Sequence, residues 1–132
     1  MIGILLLSHG PLSEGIAGSL IMITGKAENV GYLGLTPGTT SETFTEKIEL
    51  EISKLDSGQG VLVITDILGG SPFNTACQLT RTHDIEVVTG LNLPMVLCAI
   101  FERNVNTSLV DLANVVVNEG QKSIKHFEFQ SV

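Results

Sequence analysis

Apolar positions along the chain fall into two kinds of run. Residues 2–7, IGILLL, and 61–65, VLVIT, are continuous and do not alternate, the pattern of parallel strands covered on both faces. Residues 30–35 and 85–89 read as two further strands. Elsewhere the spacing changes to three and four. Leu12, Ile16, Leu20 and Ile23 mark a first helix that Gly25 stops. Phe44, Ile48, Ile52 and Leu55 mark a second, with Glu46, Lys47, Glu49 and Lys54 turned to solvent. Pro72 opens a third helix that runs to about Thr82, residues 93–101 form a fourth, and 108–123 a fifth with Leu109, Leu112 and Val116 inward. The segment HFEF at 126–129 alternates polar and aromatic, as a half-exposed edge strand or an arm that pairs elsewhere would.

Strands alternating with helices across short connections predict a flavodoxin-like doubly wound α/β fold. Four parallel strands in the order 2-1-3-4 carry helices on both faces. Residues 1–132 read as one domain, without repeats, linkers or low-complexity tracts. In such sheets ligands sit beyond the carboxyl ends of the strands, where the strand order reverses.

Two polar side chains stand at such ends. LLLSHG delivers His9 after the first strand, and VITDILGGSPFN delivers Asp66 after the third. Neighbouring parallel strands about 4.8 Å apart would bring imidazole and carboxylate within hydrogen-bonding reach. A histidine whose Nδ1–H is held by a carboxylate presents Nε2 outward as a nucleophile, and the carboxylate stabilises the charged ring formed when Nε2 bonds an electrophile. The following turn adds a cradle: Gly69 and Gly70 allow close backbone approach, amides opening the next helix point at an incoming anion, and Ser71 adds a hydroxyl. Ser8, Pro37, Leu68 and Asn92 are expected on the rim of this pocket. Ser13 reads as an early-helix or capping residue, and His83 and His126 as bystanders.

Seven Lys and Arg against fourteen Asp and Glu give a formal charge of −7, which points away from nucleic acid and anionic lipid as partners. No lysine lies in either loop, which disfavours a nucleoside triphosphate. A neutral cradle suits a single phosphoryl group that must be passed on. The mean hydropathy of +0.36 with 16% charged residues points to apolar surface covered by a second subunit. The longest strongly apolar stretch, 91–101, contains Asn92 and Pro94 and is too short to span a bilayer. With no basic segment before the first apolar run, the N-terminus does not read as a signal peptide, and the chain is expected in the cytoplasm. Cys77 and Cys98 have no zinc or redox spacing, so neither a metal nor another cofactor is expected.

SHG at 8–10, TPG at 36–38, DILGGSPFN at 66–74 and TGLNLPM at 89–95 resemble, in order and spacing, the enzyme IIA component of the mannose family of the bacterial sugar phosphotransferase system (PTS). The resemblance covers nearly the whole chain. It implies that His9 accepts a phosphoryl group from the phosphocarrier HPr and donates it to a IIB component, which phosphorylates sugar during transport. It implies that Asp66 orients His9 and that Ser71 bonds the phosphoryl oxygens. It further implies a homodimer in which the C-terminal arm, about 124–132, crosses as a strand to the other subunit, and membrane contact only through a IIC/IID transporter complex. Leu68 stands where the family often has an aromatic residue, and the chain ends without a fused IIB domain, so IIB is expected as a separate protein. Three other readings compete: a receiver-like module phosphorylated on Asp66, a small-molecule or anion-binding α/β domain, and a phosphotransfer subunit of a dihydroxyacetone kinase.

Overall fold

The computed structural model describes residues 1–104 and 106–129. Its elements in chain order are β1 (Gly3–His9), α1 (Leu12–Thr24), β2 (Val30–Leu35), α2 (Ser41–Leu55), β3 (Val61–Thr65), α3 (Ser71–Leu79), β4 (Ile85–Thr89), α4 (Leu93–Glu102) and α5 (Leu109–Lys122). The strands form one parallel sheet in the order β2-β1-β3-β4. No described helix is long and apolar enough to cross a membrane.

The continuous apolar runs are explained by cover on both faces. Ile4 and Leu6 of β1, with Leu62 and Ile64 of β3, pack against Leu20, Val96, Ala99, Leu112 and Val116 from α1, α4 and α5. Leu5, Leu7, Val61 and Val63 pack on the other side against Phe44, Ile48, Ile52, Ala76 and Leu79 from α2 and α3. Alternation along each strand feeds the two cores from one run of residues.

Three element boundaries differ from the sequence reading. β1 runs on to His9 instead of ending at Leu7, because β2 continues beside it and pairs Ser8 with Gly34 and His9 with Leu35. The second helix begins at Ser41, three residues ahead of the first periodic apolar residue, because the Thr40 hydroxyl caps it by accepting from Thr43 N–H. The third ends at Leu79, short of Thr82. Residues 124–129 form no strand with this chain's own sheet, and Ile124, Phe127 and Phe129 stand exposed. The expected edge strand is therefore not part of the fold within one described chain; the last three residues of the expected arm, 130–132, lie outside the described residues.

The end of the sheet away from His9 is held by Arg103, which the periodicity did not single out. Its side chain is 8% exposed and donates to the carbonyls of Ile2 at 2.9 Å, Asn29 at 3.4 Å and Glu28. One guanidinium so joins the start of β1, the turn before β2 and the end of α4. Truncation would leave these carbonyls short of a donor around a void. Arg103→Met is expected to lower stability by about 3 kcal/mol, read as an earlier urea midpoint at unchanged slope.

Candidate active site

His9 is the last residue of β1, and its side chain emerges on the α2/α3 side of the sheet because it shares the parity of Leu5 and Leu7. Asp66 follows the last residue of β3, its own amide bonded to Leu7 O at 3.1 Å. That register sets the two side chains against each other. His9 Nδ1 lies 2.7 Å from Asp66 Oδ2, and the same oxygen accepts the His9 backbone N–H at 2.8 Å. Asp66 Oδ1 accepts from Ile67 N–H at 2.9 Å. The imidazole is 48% exposed and the carboxylate 9%.

Burial pushes the Asp66 carboxyl up, but the His9 backbone, His9 ring and Ile67 donors together outweigh it, and the net shift is downward. Asp66 is therefore ionised at neutral pH and can only accept. Nδ1 must then carry a proton, and in the neutral ring this leaves the Nε2 lone pair free.

The Nε2 edge of the ring faces the start of α3. A Cβ built on Gly70 would stand 2.7 Å from His9 Cε1 and 3.3 Å from Nε2, so only a glycine lets the ring lie there. Gly70 is the N-cap of α3, yet it supplies no side-chain acceptor, and Pro72 in the first turn has no N–H. The other helices are served differently. Thr40, Asn92 and Ser108 cap α2, α4 and α5, and the Ser8 hydroxyl accepts from Ser13 N–H at 2.8 Å in α1. Among the described residues the α3 N-terminus alone keeps its first amides free of side-chain acceptors, and it does so beside Nε2. Gly69 closes the turn, its carbonyl accepting from Asn74 Nδ2 at 3.2 Å, and Ser71 is exposed as the first residue of the helix. A nucleophilic nitrogen, a fixed anionic partner behind it and open donors ahead of it can together accept and hold a small anionic electrophile.

The four expected rim residues fare differently. Ser8 is not on the rim: because β1 continues to His9, alternation turns Ser8 to the opposite face, where it is fully buried and donates to Gly10 O at 3.1 Å. Pro37 lines a shallow apolar groove of about 410 Å³ with Pro11 and Tyr32 on the β2 flank. Leu68, 75% exposed, and Asn92 border a groove on the β4 flank. The Asn92 amide is engaged by Met95 N–H and Gly120 O and is not aimed at His9. Ser13 is structural, buried with its hydroxyl on Leu33 O at 3.0 Å.

Sequence reasoning passed over Gly34. A Cβ there would fall 2.1 Å from Gly10 O, so the turn carrying His9 rests directly on the β2 backbone, with Gly10 N–H bonded to Leu35 O at 2.8 Å. A glycine inside a strand was the available signal for such a close approach.

The family model described as "PTS system fructose IIA component" matches residues 3–117. The chain belongs to this mannose-type IIA family. It is 33% identical over 132 residues to the PTS system mannose-specific EIIAB component of Escherichia coli (strain K12), an alignment covering 99% of this IIA chain and 41% of that relative. The chain thus spans about two fifths of the length of that relative. Among solved structures it is similar to phosphotransferase system component EIIA from Streptococcus agalactiae, with a TM-score of 0.86 and 31% identity over 96% of this chain and 97% of that one. It is also similar to the mannose/sorbose specific IIA subunit from Enterococcus faecalis, with a TM-score of 0.88 and 26% identity over 99% and 98%.

Two outcomes follow from this geometry. Gly70→Ala, whose backbone φ of −80° alanine tolerates, is expected to fold normally and to displace the imidazole, slowing any reaction at Nε2 at least about tenfold. Phosphorylation kinetics and thermal unfolding of the same sample would read both. The lowered Asp66 pKa also has a sign: ionised Asp66 contributes stability that is complete above the ordinary carboxyl value of about 3.9 and is lost as pH falls through the lower folded value. Asp66→Asn is expected to flatten the acid limb of the stability curve below about pH 4, measured by urea unfolding across pH.

Proposed function

We propose that the chain is a phosphoryl carrier, acting as one domain over residues 1–132, that takes a phosphoryl group from phospho-HPr onto His9 and passes it to a IIB component for sugar uptake. The observation that carries this is the 2.7 Å contact between His9 Nδ1 and Asp66 Oδ2, with Nε2 left facing an uncapped helix N-terminus. The Nε2 lone pair forms the new bond to phosphorus. The bond from phosphorus to the donor breaks, and its electron pair leaves with the donor. The ring becomes positively charged while Nδ1 keeps its proton, and the Asp66 carboxylate at 2.7 Å stabilises that charge. Amides at the start of α3 and the Ser71 hydroxyl receive the phosphoryl oxygens, with Gly69 and Gly70 giving them room. Transfer to IIB is the reverse set of steps with a different acceptor. No cofactor or metal enters the scheme.

Half-exposure of His9 on a rim is what two successive protein partners require. The acidic, single-domain chain would work in the cytoplasm, meeting the membrane only through the IIC/IID transporter complex. The exposed Ile124, Phe127 and Phe129 support a homodimer in which the C-terminal arm crosses to the second subunit.

Intact mass after incubation with phosphoenolpyruvate, enzyme I and HPr tests the reading. One phosphoryl group is expected on the wild type, lost in mild acid and kept in base, and none on His9→Ala. Asp66→Asn is expected to retain labelling at a rate lowered about 100-fold. Labelling of His9→Ala, or a group lost in base and kept in acid, would move the chemistry to a carboxylate and sink the carrier reading.

A further inference from the structure

The two residues that flank His9 are tied together on the face of the sheet away from its imidazole. Ser8 pairs with Gly34 across the β1–β2 ladder, and its side chain turns to the face where Ile4 and Leu6 lie. The Ser8 hydroxyl is fully buried and serves twice. It donates to Gly10 O at 3.1 Å and accepts Ser13 N–H at 2.8 Å. The first bond reaches from the residue before His9 to the residue after it, so it closes a clip around the backbone of His9. The second pins the oxygen of that clip to the first turn of α1. A helix start is ordinarily served by a side chain at its own N-cap, but Pro11 stands there and supplies no acceptor. The acceptor comes instead from the strand, one residue before the imidazole.

Gly10 is held at its other end as well. Its N–H donates to Leu35 O at 2.8 Å, its φ is +59°, and its carbonyl lies where a Cβ on Gly34 would stand only 2.1 Å away. The missing Cβ of Gly34 is therefore what lets Gly10 O reach the Ser8 hydroxyl. His9 is restrained from two sides. Asp66 Oδ2 takes its main-chain and ring N–H groups and so sets the turn of the ring. The clip on the opposite face sets where the Cα–Cβ bond of His9 points. We propose that Ser8 is a positioning residue for the nucleophile, its hydroxyl fixing the main chain through Gly10 so that Nε2 stays against the open amides of α3. Ser8 is buried behind the strand and does not meet the phosphoryl group; it acts through the backbone alone. This rests on the carrier reading above and adds to it the device that holds the aim of Nε2.

Single-turnover transfer from phospho-HPr to the wild type, Ser8→Ala, Ser8→Thr and Ser13→Ala tests it, with nitrogen NMR of the His9 ring on the same samples. Ser8→Ala is expected to lower the rate at saturating donor about tenfold and to leave the donor concentration for half-maximal rate unchanged. It is also expected to raise the share of neutral ring that carries its proton on Nε2. Ser8→Thr keeps the hydroxyl and is expected to restore both rate and spectrum. Ser13→Ala is the control for stability alone: it removes the buried bond to Leu33 O but leaves Ser8 on Gly10, and wild-type transfer is expected. Gly34→Ala reaches the same turn without removing a hydroxyl, since its Cβ must push Gly10 O away, and the same loss of rate is expected should Ser8→Ala fail to fold. Wild-type rate and an unchanged ring spectrum in Ser8→Ala, or equal slowing in Ser13→Ala, would overturn the role and leave Ser8 as a cap of α1. A wild type that gains no phosphoryl group would remove the carrier reading, while the ring spectrum of Ser8→Ala, which needs no donor, would still decide whether Ser8 aims His9.

Discussion

One carboxylate oxygen organises this rim. Asp66 Oδ2 accepts both the main-chain N–H and the ring N–H of His9, so a single atom fixes where the strand end lies and which way the imidazole turns. The contact depends on β1 and β3 being adjacent, parallel and in one register, with Leu7 beside Thr65 and the Asp66 amide bonded back to Leu7. A slip of one residue would turn His9 to the opposite face, into the place of Ser8. The two buried cores resist such a slip, because it would also drive Leu5 and Leu7 out of one core and Ile4 and Leu6 out of the other. Apolar packing far from the rim therefore sets the tautomer of one histidine.

The same logic separates α3 from its neighbours. Side chains cap α2, α4 and α5, each such cap contributing about 1 kcal/mol, and Ser8 takes one of the first amides of α1. Forgoing that contribution at α3 leaves donors open where Nε2 can deliver an anion. The Gly70 position adds a steric condition to the electrostatic one, since any Cβ there would push the ring away from the amides. Local stability is lower at the helix start, and the site gains a preformed oxyanion receptor.

Much of this was legible in the amino-acid order, and the parts that were not share a cause. Unbroken apolar runs identify β1 and β3 because a strand covered on both faces has no alternation to show, and strand ends followed by His9 and Asp66 identify the two groups that meet. Ser8 was misplaced because the end of an apolar run is not the end of a strand: backbone pairing with Gly34 carries β1 two residues further, and parity does the rest. Arg103 escaped notice because its partners are carbonyls, which leave no mark in a sequence.

A phosphoryl carrier is bound by a constraint that an enzyme with a free product is not. If the group is held too firmly on His9 it cannot leave, and a fixed lysine or arginine beside Nε2 would stabilise the phosphorylated state at the expense of onward transfer. On the carrier reading, the site instead combines neutral amides, one hydroxyl and a carboxylate placed behind the ring, where it would stabilise a charged imidazole from the side away from Nε2. On that reading, the ring charge beside Asp66 develops as the group arrives and is lost as it departs, so the carboxylate would act on the transition state of both transfers.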